Sequence, residues 1–216
     1  MKSLKFITLV YILIATFSSR IHSQSLYNDF QESKKKKIFF DDFNSNTNNW
    51  LLLDNENELI SIENGTYIYE SRDGQAKANY LPIKINQKKN FEIELKIKFS
   101  QGEDNNSNGL AFGGSTNFMD RILFAFSGDG NYCIAQFSPL KFLIPWTSST
   151  EIHRTDYNLL TVRKVGKKYY FFINQILVET LQFQPFYGDK IGIHCNSNTK
   201  IHVDFLKVNY LKKKCW

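Results

Sequence analysis

Apolar and polar residues alternate with a period of two along most of this chain, and the 3.6-residue period of an amphipathic helix is almost absent after residue 23. The clearest stretch is FEIELKIKF, where Phe91, Ile93, Leu95, Ile97 and Phe99 share one face and Glu92, Glu94, Lys96 and Lys98 the other. Side chains of a strand point alternately to its two sides, so this stretch predicts a strand with a buried face and a wet, charge-laddered one. ELISIENGTYIYES repeats the rule on both sides of Asn64 and Gly65, a pair suited to the left-handed positions of a two-residue hairpin turn. DRILFAFSGDGNYCIAQFS sets a Gly-rich turn between two apolar runs. DKIGIHCNSNTKIHVDFLKVNY reads as strand, polar turn, strand, and a hairpin centred on NSNT would set His194 opposite Ile201 and His202 opposite Ile193.

NLLTVRKVGKKYYFFINQILVETLQF reads as three short strands with VGKK and NQ as tight turns. Tyr169, Phe171 and Ile173 would point one way, and Tyr170, Phe172 and Asn174 the other. Aromatics on both faces suit a central strand of a two-layer sandwich, or one whose outer face lines a groove. About a dozen short strands joined by Asn, Ser and Gly turns predict an all-β fold, a two-sheet antiparallel sandwich over residues 38–211. Such a span is long enough to bury a substantial core.

The first residues change the picture of charge. Lys2 and Lys5 precede an apolar run over residues 6–17 and then small polar residues, the layout of a signal peptide ending at Ser23. The apolar run is too short to span a bilayer, so the mature chain is expected to be secreted, periplasmic or on the cell surface, with no membrane span. Removing residues 1–23 takes away Lys2, Lys5 and Arg20 and no acid, so a formal charge of +6 falls to +3. The run of four lysines at 34–37 reads as part of a solvated linker over residues 24–37, and residues 212–216 as a short basic tail. Neither argues for nucleic acid as a partner. Three cysteines, Cys133, Cys195 and Cys215, do not make a disulfide framework, and the first two sit in apolar strand-like runs where no thiol chemistry is expected.

Several segments, taken in order, resemble one family. They are FFDDFNSNTNNW at 39–50, NGTYIYE at 64–70, FEIELKIKF, NGLAFGG at 108–114, LTVRKVGKKYYFFINQILVETL at 160–181, GDKIGIHC at 188–195 and IHVDFLKV at 201–208. Together they resemble the concanavalin A-like lectin/glucanase superfamily, in particular the laminin-G-like and 3-keto-glycoside-hydrolase-related jelly-roll modules of secreted bacterial proteins. The resemblance covers nearly all of the exported chain and implies a two-sheet jelly roll with a concave sheet that could accept a glycan. It also implies that Trp50 is a buried tryptophan. Sugar-binding modules, glycosidases and adhesion domains all share this architecture, so activity has to be read from individual residues.

Glycoside hydrolysis usually needs two carboxyl groups about 5 to 10 Å apart. The glucanases of the family carry them on one strand as E-x-D-x-E or E-x-D-x-x-E. The nearest match is EIELK, with Glu92 and Glu94 roughly 7 Å apart along one strand face. The middle acid is missing, and Lys96 and Lys98 continue the face as in a solvent-facing ladder. No G-x-S-x-G elbow or zinc-type histidine spacing occurs, and His194 and His202 read as solvent-facing strand residues. No cofactor is required on this reading. Jelly rolls often pair their first and last strands, which would bring Asp41 and Asp42 near Asp204, hard oxygen ligands suited to a structural calcium.

Sugars stack on exposed aromatic faces while polar side chains bond their hydroxyls, so a binding surface needs both together. PLKFLIPWTSSTEIHR meets that need best, with Trp146 after Pro145 in a polar, loop-like context. Tyr132, Gln136, Arg121, Tyr170 and Asn174 would join it if their strands line one sheet. The expectation is an exported, non-catalytic carbohydrate-binding or adhesion module with a glycan partner. The alternatives are a glycoside hydrolase whose acids come from different strands, and a protein-binding module using edge strands or loops.

Overall fold

In the computed structural model, which describes residues 27–29, 34–117 and 119–212, nearly all of the chain is in strands or the turns between them. The expected signal peptide and Cys215 lie outside the described residues. One sheet has nine strands: β1 (Lys35–Asp41), β2 (Leu53–Asp54), β3 (Glu58–Glu63), β4 (Thr66–Ser71), β6 (Phe91–Gly102), β11 (Asn158–Val165), β12 (Lys168–Ile173), β13 (Ile176–Gln182) and β15 (Thr199–Leu211). The other has six: β5 (Lys77–Pro82), β7 (Asn108–Gly114), β8 (Ile122–Phe126), β9 (Asn131–Gln136), β10 (Lys141–Ser148) and β14 (Lys190–Cys195). Their orders are β13-β12-β11-β6-β15-β4-β3-β2, with β1 also on β15, and β10-β9-β8-β7-β14-β5. Every pairing is antiparallel, and the two sheets face each other as a jelly-roll sandwich.

The period-two pattern becomes the core directly. Phe91, Ile93, Leu95 and Ile97 of β6 are fully buried with Leu160, Val162 and Phe171 of the same sheet, against Phe112, Phe124, Phe126, Ile134, Ile191 and Ile193 of the other. Aromatic edges lock the layers, Phe124 meeting Phe171 at 5.2 Å between ring centroids and Phe112 meeting Tyr169 at 6.0 Å. Tight turns close where the residues predict. Asn64 and Gly65 take φ of 49° and 73° between β3 and β4, and Asn174 and Gln175 take 50° and 72° between β12 and β13. The first and last strands pair, with Asp41 opposite Leu206.

Three local expectations fail, each through a long-range contact. First, β14 and β15 do not form a hairpin: β14 lies between β7 and β5, while β15 pairs with β6, β4 and β1. The NSNT segment is an arch between layers. The buried Asn108 side chain holds it, its carbonyl accepting hydrogen bonds from the Asn196 amide at 3.0 Å and the Thr199 hydroxyl at 3.1 Å. His194 and His202 therefore sit in different sheets. Second, Lys35, Lys36 and Lys37 belong to β1 and not to a linker. The Lys35 ammonium lies 2.6 Å from Glu92, an ion pair that places this lysine in the protein.

Third, Glu92 and Glu94 are buried, at 0% and 5% exposure, although they sit on the outer face of β6 as their alternation requires. The short segment 27–29 covers them. The Tyr27 hydroxyl donates to Glu94 at 2.9 Å, and the Arg163 guanidinium of β11 donates to Glu92 at 2.7 Å and to the Tyr27 carbonyl at 2.8 Å. Lys35 and Arg163 thus flank Glu92 where the sequence predicts a water-facing ladder.

Candidate functional site

The outer face of the six-stranded sheet is unusually low in side-chain bulk. Opposite the core residues of β7, β8 and β9 it carries Gly109, Ala111, Leu123, Ala125, Cys133 and Ala135, with Ala78 and Tyr80 from β5 and His194 from β14. Small residues leave space above the strands, and the loops around them wall that space into two hollows. One, of about 260 Å³, is bounded by Asn106, Ser107, Asn196, Cys133, Phe142 and Trp146. The other, of about 500 Å³, is bounded by Tyr80, Lys77, Asn117, Met119 and Arg121. Phe137 and Leu140 line both and form the ridge between them.

Trp146 is 40% exposed and Phe142 46%. They reach the same hollow because β10 is an edge strand whose register against β9 shifts twice, between Phe142 and Ile144 and again before Thr147. Across the hollow the Asn196 amide donates to the Ser107 hydroxyl at 2.8 Å, and that hydroxyl lies 3.3 Å from the His194 ring. In the second hollow the Arg121 guanidinium stacks on Phe137 at 3.9 Å from its centroid. His194 lies on the sheet below, buried, with its pKa driven down to about 3 first by burial and then by the charge of Arg121. It is a neutral floor residue, contrary to the solvent-facing position its strand pattern suggests. Cys133 and Cys195 are buried free thiols whose pKa burial pushes up to about 12, which leaves no thiolate for chemistry at neutral pH.

The structure divides the six residues singled out in the sequence for ligand contact. Trp146 and Arg121 line adjoining hollows of one face. Tyr132 points into the inter-sheet core, 4% exposed, and its hydroxyl donates to Glu179 at 3.0 Å. Gln136 ends β9 between Ile122 and Lys141 and lines neither hollow. Tyr170 belongs to the nine-stranded sheet, opposite Arg163 and Thr180. Asn174 braces its own turn: its side chain donates to the Glu151 carbonyl at 2.7 Å and accepts from the Leu159 amide at 2.8 Å. Tyr80, Phe137, Phe142 and Asn196 line the face without having been singled out. Phe142 falls in the stretch PLKFLIPWTSSTEIHR that the sequence favours, and Tyr80 alternates with Asn79 and Leu81 in ANYLP.

The acidic residues are also placed otherwise than the calcium expectation needs. Asp41 is buried and its carboxylate is taken up by the Trp50 indole at 2.8 Å, the Asn48 amide at 2.7 Å and the Phe43 backbone amide at 2.9 Å. Asp42 caps Asn44, and Asp204 pairs with Lys96 at 2.9 Å. Among the described residues no three acids, histidines or cysteines come together to hold a metal. Trp50 is buried, as the resemblance implies, and its indole donor explains why Asp41 is buried beside it.

No protein-family model and no curated protein sequence matches the chain significantly. Solved structures do. A structure described under endo-acting O-glycanases of the human gut microbiota superposes with a TM-score of 0.62 at 12% identity, over 82% of this chain and 100% of that one. The catalytic domain of an endo-1,3-β-glucanase from Thermotoga petrophila gives 0.59 at 11% identity, over 83% and 99%. The CBM2 module of the evolved Dit of Lactobacillus casei BL23 phage J-1 gives 0.57 at 12% identity, over 85% and 99%. At such identities the likeness is one of fold, and strand order, sandwich and neighbours agree that the chain folds as a two-sheet antiparallel jelly roll.

Proposed function

We propose that the protein is an exported, non-catalytic glycan-binding module whose site is the outer face of the six-stranded sheet. The observation that carries this reading is the hollow that combines Trp146 and Phe142 with Asn105, Asn106, Ser107 and Asn196. It offers an aromatic platform beside amide and hydroxyl groups, the combination that sugar rings need. Among the described residues lining both hollows there is no aspartate or glutamate, whereas hydrolysis calls for a facing pair of carboxyl groups. Glu92 and Glu94, the one closely spaced pair the sequence suggests for that work, are covered on the other sheet. Neighbours of both kinds, sugar-binding and glycan-cleaving, are compatible with a glycan ligand.

Retention of the purified protein on a panel of soluble and insoluble polysaccharides tests the reading. At least one glycan should retain it. Trp146→Ala should weaken that retention about tenfold or more, the loss of roughly 1.5 kcal/mol that one aromatic contact carries. Because Trp146 is half-exposed, the melting temperature should move little. Retention by no glycan would sink the proposal. It would favour a protein partner on the same face, where Leu140 and Met119 are 58% and 63% exposed.

A further inference from the structure

We propose that the glycan taken by this face is acidic, with a sugar carboxylate or sulfate seated against the Arg121 guanidinium in the hollow beside Tyr80. The inference rests on the glycan-binding reading and adds the chemical class of the ligand. A neutral sugar would need only the aromatic and amide groups of the Trp146 hollow. The second hollow is built differently.

Arg121 immediately precedes β8, and its guanidinium carbon lies 3.9 Å from the Phe137 ring centroid. The guanidinium keeps its charge whatever the pH, and that charge is what a sugar carboxylate or sulfate in the hollow would meet. One donor leans on the Met119 carbonyl at 3.4 Å, a long contact that an anion could replace. Tyr80 also lines this hollow, and the Lys190 ammonium, which does not line it, lies 5.4 Å from the centre of the Tyr80 ring. The hollow therefore holds two aromatic rings, Tyr80 and Phe137, with the Arg121 guanidinium stacked on the second. Lys77 also lines the hollow but is paired with Asp73 at 2.8 Å and adds little field.

No described acid lines either hollow, and with Lys77 paired to Asp73 the charge of the lining is that of Arg121. On the sheet below, the pKa of the buried His194 is lowered first by burial and next by the charge of Arg121. The Trp146 hollow has uncharged lining throughout, and Phe137 and Leu140 join the two. An extended chain would thus lay an uncharged ring on Trp146 and an acidic residue between Tyr80 and Arg121.

Polygalacturonate and alginate supply carboxylates, dextran sulfate supplies sulfate, and laminarin and dextran are neutral probes. Binding of the unmodified protein to each is measured from low to high salt, and again with Arg121→Gln and Trp146→Ala after their melting temperatures are checked. The expected result is binding to a uronate or to the sulfated polymer that weakens with salt, falls at least tenfold in Arg121→Gln, and falls also in Trp146→Ala. Which polymer binds separates carboxylate from sulfate. Competition by free galacturonate but not galactose gives the same answer for a carboxylate without any variant. Salt-independent binding to a neutral glycan, unchanged in Arg121→Gln, would overturn the acidic class and leave the glycan-binding reading standing. Polyanion binding unaffected by a folded Arg121→Gln would overturn it too, as general surface attraction. Binding to none of the probes would overturn both.

Discussion

Replacing Arg163 with methionine should cost about 3 kcal/mol of folding stability, read as a lowered urea midpoint at pH 7. Arg163 is 1% exposed and Glu92 fully buried, and the guanidinium approaches one carboxylate oxygen at 2.7 Å through Nε and 2.5 Å through Nη2. The methionine would leave Glu92 in the protein with Lys35 alone, 2.6 Å away on its other oxygen. It would also remove the hydrogen bond to the Tyr27 carbonyl and the cation that stacks on Tyr27 and Phe172 at 4.6 and 5.2 Å. The loss arises mainly from a buried charge stripped of a partner, so the triple variant Glu92→Leu, Arg163→Met and Lys35→Met, which removes the three charges together, should recover most of it. A single-variant cost below about 1 kcal/mol would mean that water reaches the pair and that the segment 27–29 does not seal it.

The second large effect is a pH dependence whose two halves oppose each other. Glu94 has its pKa raised from 4.5 to about 7, first by burial and next by the neighbouring Glu92. The folded state therefore keeps a proton that the unfolded state releases, and stability from this group is full below pH 4.5 and declines as pH rises toward 7. His194 is shifted the other way, from 6.5 to about 3 by burial and then by Arg121, so its contribution is full above pH 6.5 and declines as pH falls toward 3. Between pH 4.5 and 6.5 the two slopes, each about 1.4 kcal/mol per pH unit, cancel. Urea unfolding across that window should be nearly flat for the unmodified protein as far as these groups are concerned. Glu94→Gln should leave stability rising with pH, and His194→Gln should leave it falling, each by about 3 kcal/mol over the window. Variants whose curves stay parallel to the original would show that neither group is shifted.

The candidate site was legible in part, and the residues show where the limit lies. Trp146 stood out because it follows Pro145 in a polar context that reads as a loop; it lies in strand β10 instead, and is exposed there. Arg121 was named but could not be placed. Its partner Phe137 lies only sixteen residues away across the β8–β9 hairpin, but which hollow the pair lines depends on β5, which reaches this face by pairing with β14. Tyr170 and Asn174 were grouped with Trp146 on the supposition that their strands line one sheet, and β12 belongs to the other. Glu92 and Glu94 show the reverse error. Their outward direction was read correctly, but their burial depends on Tyr27, Lys35 and Arg163, which come from distant parts of the chain.

What the sequence determined by itself is therefore local: which residues of each strand share a face, which strands are joined by tight turns, and that the elements are strands at all. These follow from the two-residue pleat and from the left-handed backbone that Asn64, Gly65, Asn174 and Gly166 accept cheaply. The assignment of strands to sheets was decided by the tertiary structure. The arch from Cys195 to Thr199 carries the chain from one layer to the other, though its residues would suit a hairpin equally well. That choice depends on what each strand can bury against residues far along the chain, and no local pattern records it. The hollows, the buried charge cluster and the neutral His194 all follow from it.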